Sequence, residues 1–325
     1  MDSSQNEWTQ AANKQGLVSI GTHSLFLTTS GPPRAPSQPV VIIEAGHSDC
    51  TVSWPAVMRA ISPFARIYGY DRAGYGNSEA SPSPGTAINI AVELSALLAA
   101  AGVSGPYIMV AHSYGGILAR EFMAANLEEC VGLVLVDTVQ EDALQYEWPF
   151  AALKAVQGSL DQCETTGVVA KSKLTAEEWK AIRYANAQES FEATADKEFA
   201  ELFSSARTLD EKKQFETCAF GDRPVSVIKG RADRDYEMIY EAGVEAGNGT
   251  PEERADVRRF NDSIGENLER MQRRQLLLSK RSRMVYAKES GHQVHMQQPE
   301  LIAEEVKWVI DSLCEFSETG AALIE

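Results

Sequence analysis

Ser113 lies in the run Ala111-His112-Ser113-Tyr114-Gly115-Gly116. The apolar, strand-like stretch Pro106–Ala111 leads into it, and Gly115–Ala125 has helical spacing after it. A serine at such a strand-to-helix turn has a chemical use. The sharp turn pushes the hydroxyl out beyond the sheet, and the first amides of the helix favour negative charge at the same point. The turn closes only if the residues two before and two after the serine are small, and these are Ala111 and Gly115. A serine that merely caps a helix is the plainer alternative. The short motif alone is weak, but its placement between this strand and this helix makes a nucleophile the stronger reading.

A serine hydroxyl needs a neighbouring base, and histidine serves near neutral pH. The chain has five histidines. His23 falls in a hairpin turn and reads as a surface residue. His47 follows the run Val40–Ala45. His112 adjoins the serine, so its ring is directed away from the serine oxygen. His292 and His295 share the loop after the last strand-like run. A carboxylate must then hold the imidazole in one tautomer. Asp137 ends Val131–Val136, and Asp233 follows Val225–Lys229 in Gly230-Arg-Ala-Asp.

The elements that must position these groups alternate. Leu17–Ile20 and Ser24–Thr28 read as a β-hairpin, and the four prolines between Gly31 and Pro39 as a loop. Val40–Ala45, Ala65–Tyr70, Pro106–Ala111 and Val131–Val136 read as strands. Ser53–Ile61, Thr86–Ala101 and Gly115–Ala125 between them read as helices. This is the pattern of a parallel sheet covered on both faces. After Val139 the text turns helical and acidic. Val225–Lys229 and Arg283–Ala287 resume the strands, and a helix over Glu300–Cys314 ends the pattern. The expected organisation is a flexible tail over 1–15, a core made of 16–139 and 223–325, and a helical cap over 140–222, with a further helical insertion at about 235–265.

With these residues in place, the chain resembles the α/β-hydrolase superfamily. Glu44-Ala-Gly-His47-Ser is similar to the loop after the family's third strand, with alanine where histidine is usual. Asp71-Arg-Ala-Gly-Tyr-Gly-Asn-Ser78 is similar to the turn after the fourth. Ser290-Gly-His292 with Pro299-Glu300 is similar to the terminal turn that enters the last helix. The resemblance implies a mostly parallel sheet of about eight strands flanked by helices, with the cap inserted after the sixth strand. It implies a triad of Ser113, His292 and an acid. The acid is Asp137 by similarity to a branch with Val-Asp-x-x-x-Glu-Asp at this strand, or Asp233 at the commoner position; Asp142 and Asp235 are lesser alternatives. It also implies an oxyanion hole made by the backbone N–H groups of His47 and Tyr114. Asp71 and Arg72 read as organisers of their turn. Trp54, Trp148, Phe150 and Trp179 read as packing aromatics near the mouth or in the cap, and the basic cluster from Arg270 to Arg283 as a solvated face.

Composition narrows the partners. The 325 residues carry a net charge of −16, which disfavours phosphate backbones, so no nucleic-acid partner is expected. The five cysteines show no C-x-x-C spacing and read as reduced thiols. The polar start shows no secretory pattern, and no apolar run suits a membrane span, so a cytoplasmic protein is expected. No metal cluster or dinucleotide fingerprint is visible, so no cofactor is expected. The expected activity is cleavage of a carboxylic ester or lactone of a small to medium, largely apolar molecule. A serine in place of a carboxylate nucleophile argues against epoxide or haloalkane chemistry. Acyl transfer, C–C cleavage or a lyase reaction on the same triad, and a ligand receptor with little turnover, remain the alternatives.

Overall fold

The computed structural model describes residues 6–35 and 37–321. Eight strands form one sheet: β1 (Asn13–Ser19), β2 (Ser24–Ser30), β3 (Val40–Glu44), β4 (Ile67–Tyr70), β5 (Tyr107–His112), β6 (Cys130–Val136), β7 (Val225–Lys229) and β8 (Ser282–Tyr286). Their order is β1-β2-β4-β3-β5-β6-β7-β8. β1 pairs with β2, and β2 with β4, antiparallel, while the pairings from β4 to β8 are parallel.

The central strands are apolar on both faces because both are covered. In β3, Val41 and Ile43 pack with Val57 and Ile61 of the helix Pro55–Ile61 and with Val306 and Val309 of the helix Pro299–Ala321. Val40 and Ile42 point the other way, into a cluster with Leu94, Leu97 and Leu98 of the helix Ala87–Ala100 and Phe122 of the helix Gly115–Ala125. β5 alternates in the same sense: Ile108 and Val110 join the first cluster, Tyr107 and Met109 the second. Local signals set the helix starts. The Thr86 hydroxyl accepts from the Asn89 N–H, and Pro55 stands in the first turn of its helix.

Between β6 and β7 lie the helices Phe150–Gln157, Ala176–Asn186 and Glu189–Glu211, with shorter turns. Between β7 and β8 lie Ala232–Glu245 and Pro251–Arg274, the second opened by a reciprocal cap of Thr250 and Glu253.

Several expectations need correction. Of the expected tail over 1–15, residues 1–5 lie outside the described residues, and the rest is packed. The Asn6 amide donates to Ala101 O, and the buried Arg66 guanidinium donates to Trp8 O and Ala11 O. The helical stretch expected at about 235–265 runs from Ala232 to Arg274, interrupted near Gly247. Asp233 lies not in a loop after β7 but in the first turn of a helix that follows Arg231, with Ala232 and Asp235 buried. His23 is buried, 3.6 Å from Glu93. The basic cluster is substantially paired, with Arg274 on Asp142 and Glu216 and Arg283 on Glu305.

Candidate active site

The loops that follow β3, β5, β6, β7 and β8 meet at one edge of the sheet and line a cavity of about 320 Å³. Ser113 stands directly after β5 with φ of 52°, a left-handed conformation that costs a non-glycine residue free energy and is held by its surroundings. Its carbonyl accepts from the N–H groups of Gly116 and Val139, which fixes the turn from two sides. Gly115 must be glycine, since a Cβ there would lie 2.3 Å from Glu44 O. Gly46 is less constrained: a Cβ there would sit 3.1 Å from the Ser113 Cβ, so its neighbours would have to give by a few tenths of an ångström.

Asp137 follows β6, also in a left-handed conformation, with φ of 46°. Its N–H donates to Ile228 O at 2.7 Å, and its Oδ1 accepts from the Gly230 N–H at 3.0 Å. Its Oδ2 lies 2.7 Å from His292 Nδ1. A carboxylate accepts, so Nδ1 carries the proton and Nε2 is left with the lone pair a base needs. The His292 N–H donates to Asp235 Oδ2 at 2.7 Å, so the residue is held at both ring and backbone. Burial opposes charge on the ring. The hydrogen bond to Asp137, with the negative charge of Asp137, Asp235 and Asp49, outweighs it and holds the imidazole above its ordinary pKa.

Asp233 is elsewhere. Its carboxylate lies 3.7 Å from Arg231, and it faces Gly265 of the helix Pro251–Arg274. Asp142 pairs with Arg274. Of the four candidate acids, Asp137 is the one whose carboxylate meets the His292 ring.

His295 is fully buried, stacked on Trp54 with centroids 4.5 Å apart, and burial drives its pKa down to about 3. His112 Nε2–H donates to His292 O at 2.9 Å, and burial holds that ring well below its ordinary pKa. Among the described residues, Asp49, His112 and His295 place donor atoms within 4.8 Å of one another and are the group that could hold a cation. The Asp49 oxygens are already engaged by Trp54 Nε1, Ser53 Oγ and Cys50 N.

His47 and Tyr114, whose amides were expected to bind the oxyanion, line the same cavity as Ser113. Asp71 and Arg72 organise the turn as expected and reach further. Asp71 accepts from Thr51 and Asn77. The buried Arg72 guanidinium donates to Ala45 O and Gly46 O, the two carbonyls just before His47. It also meets Glu198 of the helix Glu189–Glu211, a partner 126 positions away that sequence spacing gives no hint of.

The chain matches the family described as "Alpha/beta hydrolase family" over residues 34–305. A Gibberella zeae protein named "AB hydrolase superfamily protein" is 32% identical over 320 residues, covering 94% of this chain and 98% of that one. This chain belongs to the alpha/beta hydrolase family. A Hormonema carpetanum protein named "Probable transporter efuK" is 35% identical over 316 residues; the match takes in 94% of this chain but only 44% of that relative's length. Among solved structures, the haloalkane dehalogenase DbeA of Bradyrhizobium elkani shares the fold at a TM-score of 0.63 with 16% identity, covering 93% of this chain and 99% of that one. The epoxide hydrolase CorEH does so at 0.59 with 11% identity, covering 93% and 99%. No helix among the described residues is long and apolar enough to cross a membrane.

The cavity of this alpha/beta hydrolase has an aromatic roof. Trp148, Phe150, Phe199 and Phe203 come from the segment between β6 and β7, and Tyr236 and Met271 from the segment between β7 and β8. Phe150 and Phe199 are in edge contact at 5.2 Å and remain 39% and 38% exposed, which places them at the mouth. Two of the four aromatics expected to pack do line the cavity. Trp54 is instead buried beneath it, and Trp179 bonds Ser172 and packs near Met296.

Proposed function

We propose that this protein cleaves a carboxylic ester or lactone of a small to medium, largely apolar molecule through an acyl-enzyme on Ser113. The supporting observation is the 2.7 Å contact between Asp137 Oδ2 and His292 Nδ1 beside a cavity that Ser113 also lines. In this reading His292 Nε2 accepts the Ser113 proton as the serine oxygen attacks the substrate carbonyl. The negative charge that develops on the carbonyl oxygen is met by the N–H groups of His47 and Tyr114. His292 returns the proton to the leaving alcohol, which departs or, in a lactone, stays attached through the acyl chain. Water then attacks the Ser113 ester with His292 again as base, and the acid is released. Asp137 holds the tautomer and stabilises the transient imidazolium. Solved neighbours of the same fold include a dehalogenase and an epoxide hydrolase by name. A serine oxygen at position 113 suits acyl chemistry instead, because the ester it forms with an acyl group is one that water can reopen.

The segment over 140–222 acts in this account as the cap, supplying Trp148, Phe150 and Phe199 as apolar walls. A stopped-flow series with p-nitrophenyl esters of rising chain length, together with simple lactones, tests the proposal. The expected result is a burst of p-nitrophenol near one equivalent per chain, absent from Ser113→Ala. Turnover that survives Ser113→Ala, or none by the folded native chain on any ester or lactone, contradicts it.

A further inference from the structure

One helix touches the supports of both amides assigned to the oxyanion hole. On the helix Glu189–Glu211, the Ala195 carbonyl lies 2.8 Å from His47 Nε2, and the Phe199 ring packs on the His47 ring at 5.7 Å. One turn along, Glu198 is buried. Its Oε1 accepts from Arg72 Nε at 2.8 Å, and its Oε2 accepts from Arg72 Nη2 at 3.1 Å and from Tyr75 OH at 2.9 Å. The same guanidinium donates from Nη1 to Ala45 O at 2.8 Å and from Nη2 to Gly46 O at 2.6 Å. At the other side of the site, the Tyr114 OH donates to Ser205 Oγ of this helix at 3.1 Å.

The geometry of Arg72 makes this more than packing. A guanidinium is a rigid planar fork, so fixing one edge on a carboxylate fixes the other edge. Glu198 sets the plane of Arg72, and Arg72 sets the peptide planes of Ala45 and Gly46. The Gly46–His47 peptide carries the carbonyl that Arg72 holds and the N–H assigned to the oxyanion. Because a peptide unit is planar, aiming its C=O aims its N–H. Burial pushes the neighbouring carboxyl, Glu44, up to about 7, against the pull of Arg72 and Tyr70.

We infer that Glu198 is a positioning residue for the oxyanion hole: through Arg72 it orients the His47 amide, so that the seating of the helix Glu189–Glu211 governs transition-state stabilisation. This inference rests on the ester-hydrolase reading and adds the device that holds its oxyanion hole.

The test compares the native chain with Glu198→Gln, which keeps the shape but places an amide NH₂ against donors it cannot accept from. The expected result is a roughly 10- to 100-fold fall in kcat on a p-nitrophenyl ester with KM within about threefold. Fluorophosphonate labelling of Ser113 should slow by a similar factor, since that reaction also develops charge on an oxygen in the hole. A folded Glu198→Gln chain with kcat and labelling rate within twofold of native overturns the inference, as does a rise in KM alone. If Glu198→Gln does not fold, Arg72→Leu with Glu198→Leu and Glu44→Gln removes the ion pair together with the carboxylate that Arg72 would otherwise leave stranded, and must show the same loss; native rates in it overturn the inference. A native chain that labels but cleaves no ester or lactone refutes the substrate reading, and the labelling comparison still decides the role of Glu198.

Discussion

At the scale of single residues, His292 is the most constrained group of the site, with its ring on Asp137 and its amide on Asp235. Its raised pKa gives a signed prediction. In the proposed reaction His292 must be neutral to act as base, so kcat/KM should fall as pH drops through a value above the ordinary imidazole range, and rate against pH checks it. Asp137→Asn removes the main source of that shift. It should move the acid limb to lower pH while cutting kcat by roughly 10³- to 10⁴-fold. Gly291 backs the same loop, since a Cβ there would lie 1.8 Å from Asp235 Oδ2. Gly291→Ala should therefore cost about 1–3 kcal/mol, read from urea unfolding. Ser113 and His292 are legible in the sequence because small residues and turns flank them. The acid is less so, since Asp137 and Asp233 both follow strands. Which one faces the imidazole depends on the left-handed backbone at Asp137 and on the helical turn that carries Asp233 off towards Gly265.

Elements show where sequence patterning succeeds and where it stops. The helix Gly115–Ala125 and strand β7 coincide with their expected bounds, because uniform apolar runs and clear spacing mark them. Arg231–Asp235 is a charged run with no apolar stripe to mark it, yet it opens a helix. Acidic residues in a helix's first turn suit its dipole, so Asp233 and Asp235 belong in a helix start as readily as in a turn. Buried ion pairs are the other illegible feature. Arg120, on the helix behind Ser113, is fully buried. It donates to both Glu141 oxygens at 2.6 and 2.8 Å and to Gln214 Oε1 at 2.9 Å, clamping that helix to the segment after β6. Glu141→Leu should cost about 3–5 kcal/mol by stranding the Arg120 charge. Adding Arg120→Met should recover most of that loss in denaturant melts. Periodicity carries no mark of such pairs, because their partners are distant in sequence.

For the whole molecule, the charge of −16 surrounds a cavity with no lysine or arginine among its described lining residues, while Asp137 and Asp235 are among them. An ester bearing a free carboxylate should therefore react at least about tenfold less efficiently than its neutral isostere. Added salt should narrow the gap in kcat/KM by screening the field. The mostly parallel sheet of eight strands is legible at this scale because the motifs follow one another along the chain in a recognisable sequence. The docking of the helix Glu189–Glu211 on Arg72 was not, since it depends on tertiary contact alone. The site exists only when β5, β6 and the loop after β8 bring Ser113, Asp137 and His292 to one edge of the sheet, and reactivity of the serine reports that assembly directly. The decisive measurement is the rate of fluorophosphonate labelling of the native chain beside Ser113→Ala, Asp137→Asn and Asp233→Asn. Labelling should be rapid in the native chain, vanish with Ser113→Ala, collapse with Asp137→Asn and persist with Asp233→Asn. Absence of labelling in the folded native chain, or collapse with Asp233→Asn in place of Asp137→Asn, would contradict the triad of Ser113, His292 and Asp137.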